Sequence, residues 1–150
     1  MDGGPPAETR AFEYRHRVLF EDTSAGGDVY FTRYLSWQGR CRETFLLECA
    51  PGVIERLRDG LALVTTHCSC ELIAETFVGD EVVVRMRLAG RAGNLIDLDF
   101  EYWRVIGDEE RLVARGAQQI ACMHREADGI VPEPVPDPLA RALDAYQNAS

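Results

Sequence analysis

Between Val29 and Glu48 the chain runs for 20 residues with no proline and a single glycine, Gly39. Leu35, Gln38, Cys41/Arg42, Phe45/Leu46 and Cys49 recur there at helical spacing. The pattern predicts one helix, about 30 Å long, whose broad apolar stripe also takes in Tyr34 and Trp37. A rod this apolar needs cover along most of its length. Pro51-Gly52 breaks it, and residues 53–58 allow one or two further turns.

Period-two segments supply the cover. Ahead of the rod, Phe12, Tyr14, His16, Val18 and Phe20 alternate with Glu13, Arg15 and Arg17. After Asp59-Gly60, residues 61–77 read as one long strand, and Gly79-Asp80 as a turn. Residues 81–88 set Val82, Val84, Met86 and Leu88 inward and Val83, Arg85 and Arg87 outward. A hairpin signal lies at 90–94. Residues 95–106 alternate Ile96, Leu98, Phe100 and Tyr102 with Asp97, Asp99 and Glu101. A turn at 107–110 leads to a last strand over 111–125, a proline-rich extended stretch, and a short terminal helix over 139–146. The class is α+β, with about five antiparallel strands wrapped around one long central helix. Residues 11–150 read as a single domain behind a flexible tail, residues 1–10, rich in Gly, Pro and Ala.

Charge narrows the partners. Sixteen basic residues, all Arg, stand against 25 acidic ones, for a net charge of −9 and a pI near 4.8. That argues against a nucleic-acid binder, which carries a basic face. No apolar run approaches the ~20 residues of a membrane helix, and no signal-peptide h-region is visible. The expectation is a cytoplasmic protein with no nucleic-acid or membrane partner. Cysteines at 41, 49, 68, 70 and 122 are odd in number and read as reduced. His67 with Cys68 and Cys70 is half a metal site at most, with no second ligand pair at zinc-like spacing, so neither metal nor cofactor is expected. His16, His67 and His124 fall on predicted strands with no obvious partner in the sequence, as core or surface residues.

The standard catalytic strings are missing: there is no H-E-x-x-H, P-loop or G-x-G-x-x-G, and Asp22-Thr23-Ser24-Ala25-Gly26 has Asp where a nucleophile elbow needs Gly. What remains is the junction running from Asp22 through Gly26-Gly27-Asp28-Val29-Tyr30 to Phe31. Glycines let backbone approach a ligand, and a helix start offers unpaired N–H groups to a developing oxyanion. The same residues also suit a plain turn with Asp28 or Thr23 capping the helix.

The stretch from Val18 to Trp37, continuing through Gln38-Gly39-Arg40-Cys41-Arg42-Glu43-Thr44-Phe45-Leu46 and Ala50-Pro51-Gly52, resembles the hotdog-fold thioesterases of the 4-hydroxybenzoyl-CoA thioesterase type. Trp37-Gln38-Gly39 and Cys41-Arg42-Glu43 make it similar to the thioesterases of enediyne polyketide biosynthesis. The likeness covers about residues 12–125 and implies a hotdog fold. It also implies a catalytic carboxylate at the position held here by Ser24; enediyne thioesterases usually carry Asn there and depend on it and on a helix Arg, matched by Arg42. Ser24 fits neither pattern: its hydroxyl can hold water or donate to an oxyanion but is a poor base. Asp22, Asp28 and Glu43 are candidates for a displaced acid.

The resemblance further implies that the Phe31 amide polarises the thioester carbonyl, with Tyr34 donating a hydroxyl or packing in the core. Gly27, Asp28, Val29, Tyr30, Trp37 and Glu43 then fall to substrate binding. Arg42 lies eleven residues, or about 16 Å of helix, beyond Phe31, too far for both to reach one oxygen. It fits a carboxylate or β-keto group, a water, Glu43 or a partner subunit. The function implied is hydrolysis of a polyene β-ketoacyl thioester on the acyl carrier protein domain of an iterative polyketide synthase, by a homodimer or homotetramer. An acidic carrier would need a local Arg patch, with Arg33, Arg40 and Arg58 as candidates. The rivals are a general acyl-CoA thioesterase, a hydratase (disfavoured, since residues 20–60 hold no His) and a non-catalytic acyl-binding module.

Overall fold

The computed structural model describes residues 10–148. Of the predicted tail, residues 1–9 therefore lie outside the description; Arg10 stacks its guanidinium on the Tyr146 ring, 4.7 Å from the centroid.

The central rod is α1 (Thr32–Cys49), followed at Pro51 by α2 (Pro51–Arg58). Proline cannot continue α1 because it lacks the N–H, but it suits the first turn of α2. Around α1 curls an antiparallel sheet. Its strands are β1 (Phe12–Arg17), β2 (Leu61–Leu72), β3 (Glu81–Ala92), β4 (Leu95–Ile106), β5 (Glu109–Glu126) and β6 (Gly129–Pro132). The order is β1-β3-β4-β5-β2, with β6 paired to the end of β5. The helix α3 (Asp137–Asp144) closes the chain. This is the hotdog arrangement expected. The short strand β6 was not expected, and α3 begins two residues before 139.

The alternation in β3 and β4 lands as read: Val82, Val84, Met86, Leu88, Ile96, Leu98, Phe100 and Tyr102 are all buried against the helix. Val83, on the outer face, is nevertheless buried, with Arg15 and Trp103 as its register partners on the neighbouring strands. The helix contributes Tyr34, Trp37, Gln38, Cys41, Phe45 and Leu46, the broad stripe expected, with Leu35 at its margin and half-buried. Cover is one-sided, since Leu47 on the opposite face is exposed.

Three boundaries differ for one reason: backbone groups found partners outside the predicted element. The strand predicted to reach Phe20 stops at Arg17, where Val18 turns its amide to Asp80 O (2.8 Å) and its carbonyl to the Gly79 amide (2.8 Å). Phe20, predicted inward, is then carried outward and exposed. The helix predicted from Val29 starts at Thr32, because the Val29 amide donates to Thr76 O and the Tyr30 amide to Asp22 O. β2 ends at Leu72, not Phe77, since the Ile73 and Ala74 amides both turn to Val113 O. The turn predicted within 90–94 narrows to Gly93-Asn94, where Gly93 takes φ +62°.

Candidate active site

The three displaced boundaries meet at one place, the start of α1. The loop from Ser24 to Asp28 closes on itself: the Ser24 amide donates to Asp28 O (2.9 Å) and the Gly27 amide to Ser24 O (3.0 Å). Gly27 sits at φ +85°, where a side chain would strain the backbone, and its carbonyl accepts from the Val78 amide. Asp28 bridges Phe77, and Val29 bridges Thr23. The loop is thus pinned to the 73–80 segment before the helix begins.

Among the described residues no side chain caps α1. Thr23 Oγ1 donates backwards to Phe20 O, and Asp28 Oδ1 accepts from Ser24 Oγ at 2.7 Å, so neither takes the capping role open to them in the sequence. Phe31 stands in the N-cap place, and among the described residues its amide makes no hydrogen bond. An uncapped helix start with a free N–H carries positive potential toward solvent.

These residues wall a cleft of about 410 Å³. Ser24, Asp28, Val29, Tyr30, Phe31 and Tyr34 line it on the helix side, so six of the ten site residues named from the sequence come together here. The facing wall is the 72–76 segment. Thr76, missed in the sequence, is buried and shares a hydrogen bond of 2.6 Å with the Tyr34 hydroxyl. Burial raises the Tyr34 phenol above its ordinary value, so it stays a neutral donor. Exposed Tyr30, Phe31, Leu72 and Ile73 rim the opening. Gly27 belongs to the loop but lends only its backbone.

Three expected site residues lie elsewhere. Trp37, three residues past Tyr34, is rotated toward β1 and buried, 4.7 Å from the His16 ring. Glu43 is exposed on the outer side of α1. Arg42 sits further along, half-buried, with Nη1 donating to Thr65 Oγ1 (2.8 Å) and Gln118 Oε1 (3.0 Å). Its Nε is buried with no acceptor, and burial lowers its pKa while Glu43 opposes the effect. Gln118 in turn donates to Gln38 Oε1, and Gln38 to Ser69 O. Gln38 had signalled this: a polar residue at an inward helical position must find buried partners.

Beyond Arg42 lies a slot between α1 and the sheet, walled by Phe45, Met86, Leu98 and Ile120 and, from α3, Leu139 and Leu143. It is closed to about 10 Å³, at the threshold for a single water. A third hollow, about 700 Å³, lies on the outer face of the sheet among paired charges such as Arg85 with Glu13 and Glu110.

His16 does have a partner, contrary to expectation. Its Nε2 lies 2.8 Å from Asp22 Oδ2, both side chains are nearly buried, and that oxygen also accepts the Leu19 amide at 3.0 Å. Asp22 is thereby spent on the turn and does not line the cleft. Of the proposed Arg patch, Arg33 and Arg40 stand two turns apart on one side of α1, while Arg58 ends α2 at the far end of the rod.

Comparison with known proteins agrees with this architecture. Residues 18–143 match the family model described as the thioesterase-like superfamily. No curated protein matches the sequence. Among solved structures, the dynemicin thioesterase, whose structures were described for polyene binding, is 45% identical with a TM-score of 0.90 over 94% of this chain and 100% of its own. A 1,4-dihydroxy-2-naphthoyl-CoA thioesterase from Synechocystis (22% identity, TM-score 0.77, 90% and 96% coverage) shares the fold. So does 4-hydroxybenzoyl-CoA thioesterase (14%, 0.79, 89% and 99%). A hotdog sheet around one helix, an uncapped helix start opening on a cleft, and a family match over most of the chain lead to one conclusion: this protein belongs to the thioesterase-like superfamily and is a thioester hydrolase.

Proposed function

We propose that the protein hydrolyses a polyene β-ketoacyl thioester presented by the acyl carrier domain of an iterative, enediyne-type polyketide synthase. The supporting observation is the pairing of a cleft at the helix start, with Ser24, Asp28 and Thr76 in its walls, with an apolar slot along the same helix. The likeness to a thioesterase described for polyene binding points the same way. The thioester carbonyl sits in the cleft with its oxygen toward the Phe31 amide. Charge developing on that oxygen is met by the free N–H and the helix dipole. The acyl chain runs along α1 toward Arg42 and Phe45. Because the slot is closed, the chain must part α1 from the sheet to enter. The β-keto acid released can lose CO₂.

The cleft's apolar rim and the edge strand β2, exposed from Thr65 onward except at Cys70, are surfaces a second copy would cover, placing the site between subunits of a dimer or tetramer. The test follows free thiol from polyene-loaded carrier protein and from an acyl-CoA panel. Faster release from the carrier supports the proposal. Preference for acyl-CoA assigns general acyl-CoA turnover. Saturable binding without thiol release from either assigns an acyl-binding module.

A further inference from the structure

The cleft lacks a carboxylate at Ser24, yet a base that takes the proton of the attacking water speeds hydrolysis at neutral pH. Two carboxylates line the cleft, Asp28 and Glu75. Glu75 is exposed. Asp28 is half-buried, with its backbone held on both sides: its carbonyl accepts the Ser24 amide, it bridges Phe77, and the next amide, Val29, donates to Thr76 O. The Ser24 hydroxyl, at 2.7 Å, holds Oδ1 and leaves Oδ2 available to water. Gly26 keeps the loop close, since a Cβ there would stand 3.1 Å from Asp28 Oδ1.

We infer that Asp28 is the general base of the hydrolysis and that Ser24 is its positioning residue. The carboxylate stands four positions along the loop from Ser24, which donates to it. Water attacks the carbonyl carbon and gives its proton to Asp28. The carbonyl π pair moves to the oxygen facing the Phe31 amide. Collapse of the tetrahedral adduct breaks the C–S bond, and the departing sulfur takes the proton back from Asp28. The products are an acid and a thiol, with the carboxylate regenerated. A base held in a fixed place avoids the entropy cost of recruiting one.

The inference rests on thioester hydrolysis and not on the polyene substrate, so the test uses a simple acyl-CoA beside the carrier-bound substrate. Asp28→Asn keeps an oxygen for Ser24 and removes the base. Its kcat should fall by about 10²–10⁴ with KM little changed, and the acid limb of the pH profile should vanish. Ser24→Ala should lower kcat with KM little changed, and Ser24→Thr, which keeps a hydroxyl donor for Asp28 Oδ1, should restore it. A loss that Ser24→Thr does not recover overturns the positioning role. Asp28→Asn retaining most of its turnover or its acid limb overturns the inference, as does loss of the limb in Glu75→Gln instead. Wild-type protein releasing thiol from neither substrate overturns hydrolysis and this inference together. Turnover of acyl-CoA alone, with the Asp28 effects intact, overturns only the carrier-bound polyene.

Discussion

The cleft at the start of α1 and the slot under its second half share one helix and are built in opposite ways. The cleft is walled by loop segments that set Ser24, Asp28 and Thr76 among aromatic and aliphatic side chains, is open, and leaves the Phe31 N–H without a partner among the described residues. The slot is walled mostly by aliphatic side chains on regular strands and on α1 and α3, and is closed to about 10 Å³. Polar residues mark the boundary, where buried Gln38 and Gln118 and half-buried Arg42 form a hydrogen-bonded array. The difference separates two tasks, polarising a carbonyl and receiving an apolar chain, along roughly 16 Å of one helix.

The sharpest way to break this division is Phe31→Pro. Phe31 has φ −57°, which proline adopts without strain, so the helix should start as before. The N–H disappears, and kcat should drop by about 10²–10³ in the thiol-release assay. Phe31→Ala, which keeps the amide, should lose far less. Equal losses in the two variants would show that the aromatic ring, not the amide, is what the cleft uses.

Arg42→Met tests the boundary. Hydrogen bonds to a charged group contribute about 1.5–3 kcal/mol, so kcat/KM for a long acyl chain should fall about 10–100-fold. Short-chain thioesters, which never reach Arg42, should hold near wild-type rates. A uniform loss across chain lengths would merge the two regions into one.

Gly116→Ala probes the same boundary from the sheet. A Cβ there would stand 2.7 Å from Ser69 O and closer still to Gln38 Nε2. Gln38 must move, and the variant should lose about 1–3 kcal/mol in urea unfolding. Long-chain turnover should fall more than short-chain turnover, because Gln38 supports Gln118 and through it Arg42.

The smallest effect should come from the turn behind the cleft. Burial alone would raise the Asp22 carboxyl, but the Leu19 amide, His16 and Arg33 outweigh it and hold the group below its ordinary 3.8. A depressed folded pKa stabilises the protein above the unfolded value, and that stability is lost as pH falls through the folded one. Asp22→Asn should therefore unfold about 1 kcal/mol more easily at pH 7, with the gap to wild type closing below about pH 4 in urea titrations. Turnover should stay close to wild type. A large kinetic loss would bring Asp22 back as a catalytic acid.

Much of the slot was legible in the sequence, and much of the cleft was not. Ile96, Leu98, Phe100 and Tyr102 had their face assigned by alternation alone, since a strand has two faces and water occupies one. Phe45 and Cys41 followed from helical spacing. Ser24, Asp28 and Phe31 were gathered by their place between strand and helix and by resemblance to a family, not by periodicity. Thr76, some fifty residues away, carried no signal, because its role depends on which segment the loop is pinned against. His16 and Asp22 looked unrelated until β1 ended early and turned them together.

Taken alone, the sequence determined that one long helix would be wrapped by antiparallel strands and which side chains would be inward. Periodicity is a local property written into consecutive residues. Only the tertiary structure decided where the helix begins, that the Phe31 amide just ahead of it finds no partner among the described residues, that Ser24 meets Asp28, and that Arg42 answers to Gln118. Those outcomes are set by backbone groups and buried amides choosing among partners distant in the chain. Each must be satisfied somewhere, and the choice exists only once the sheet has closed around the rod.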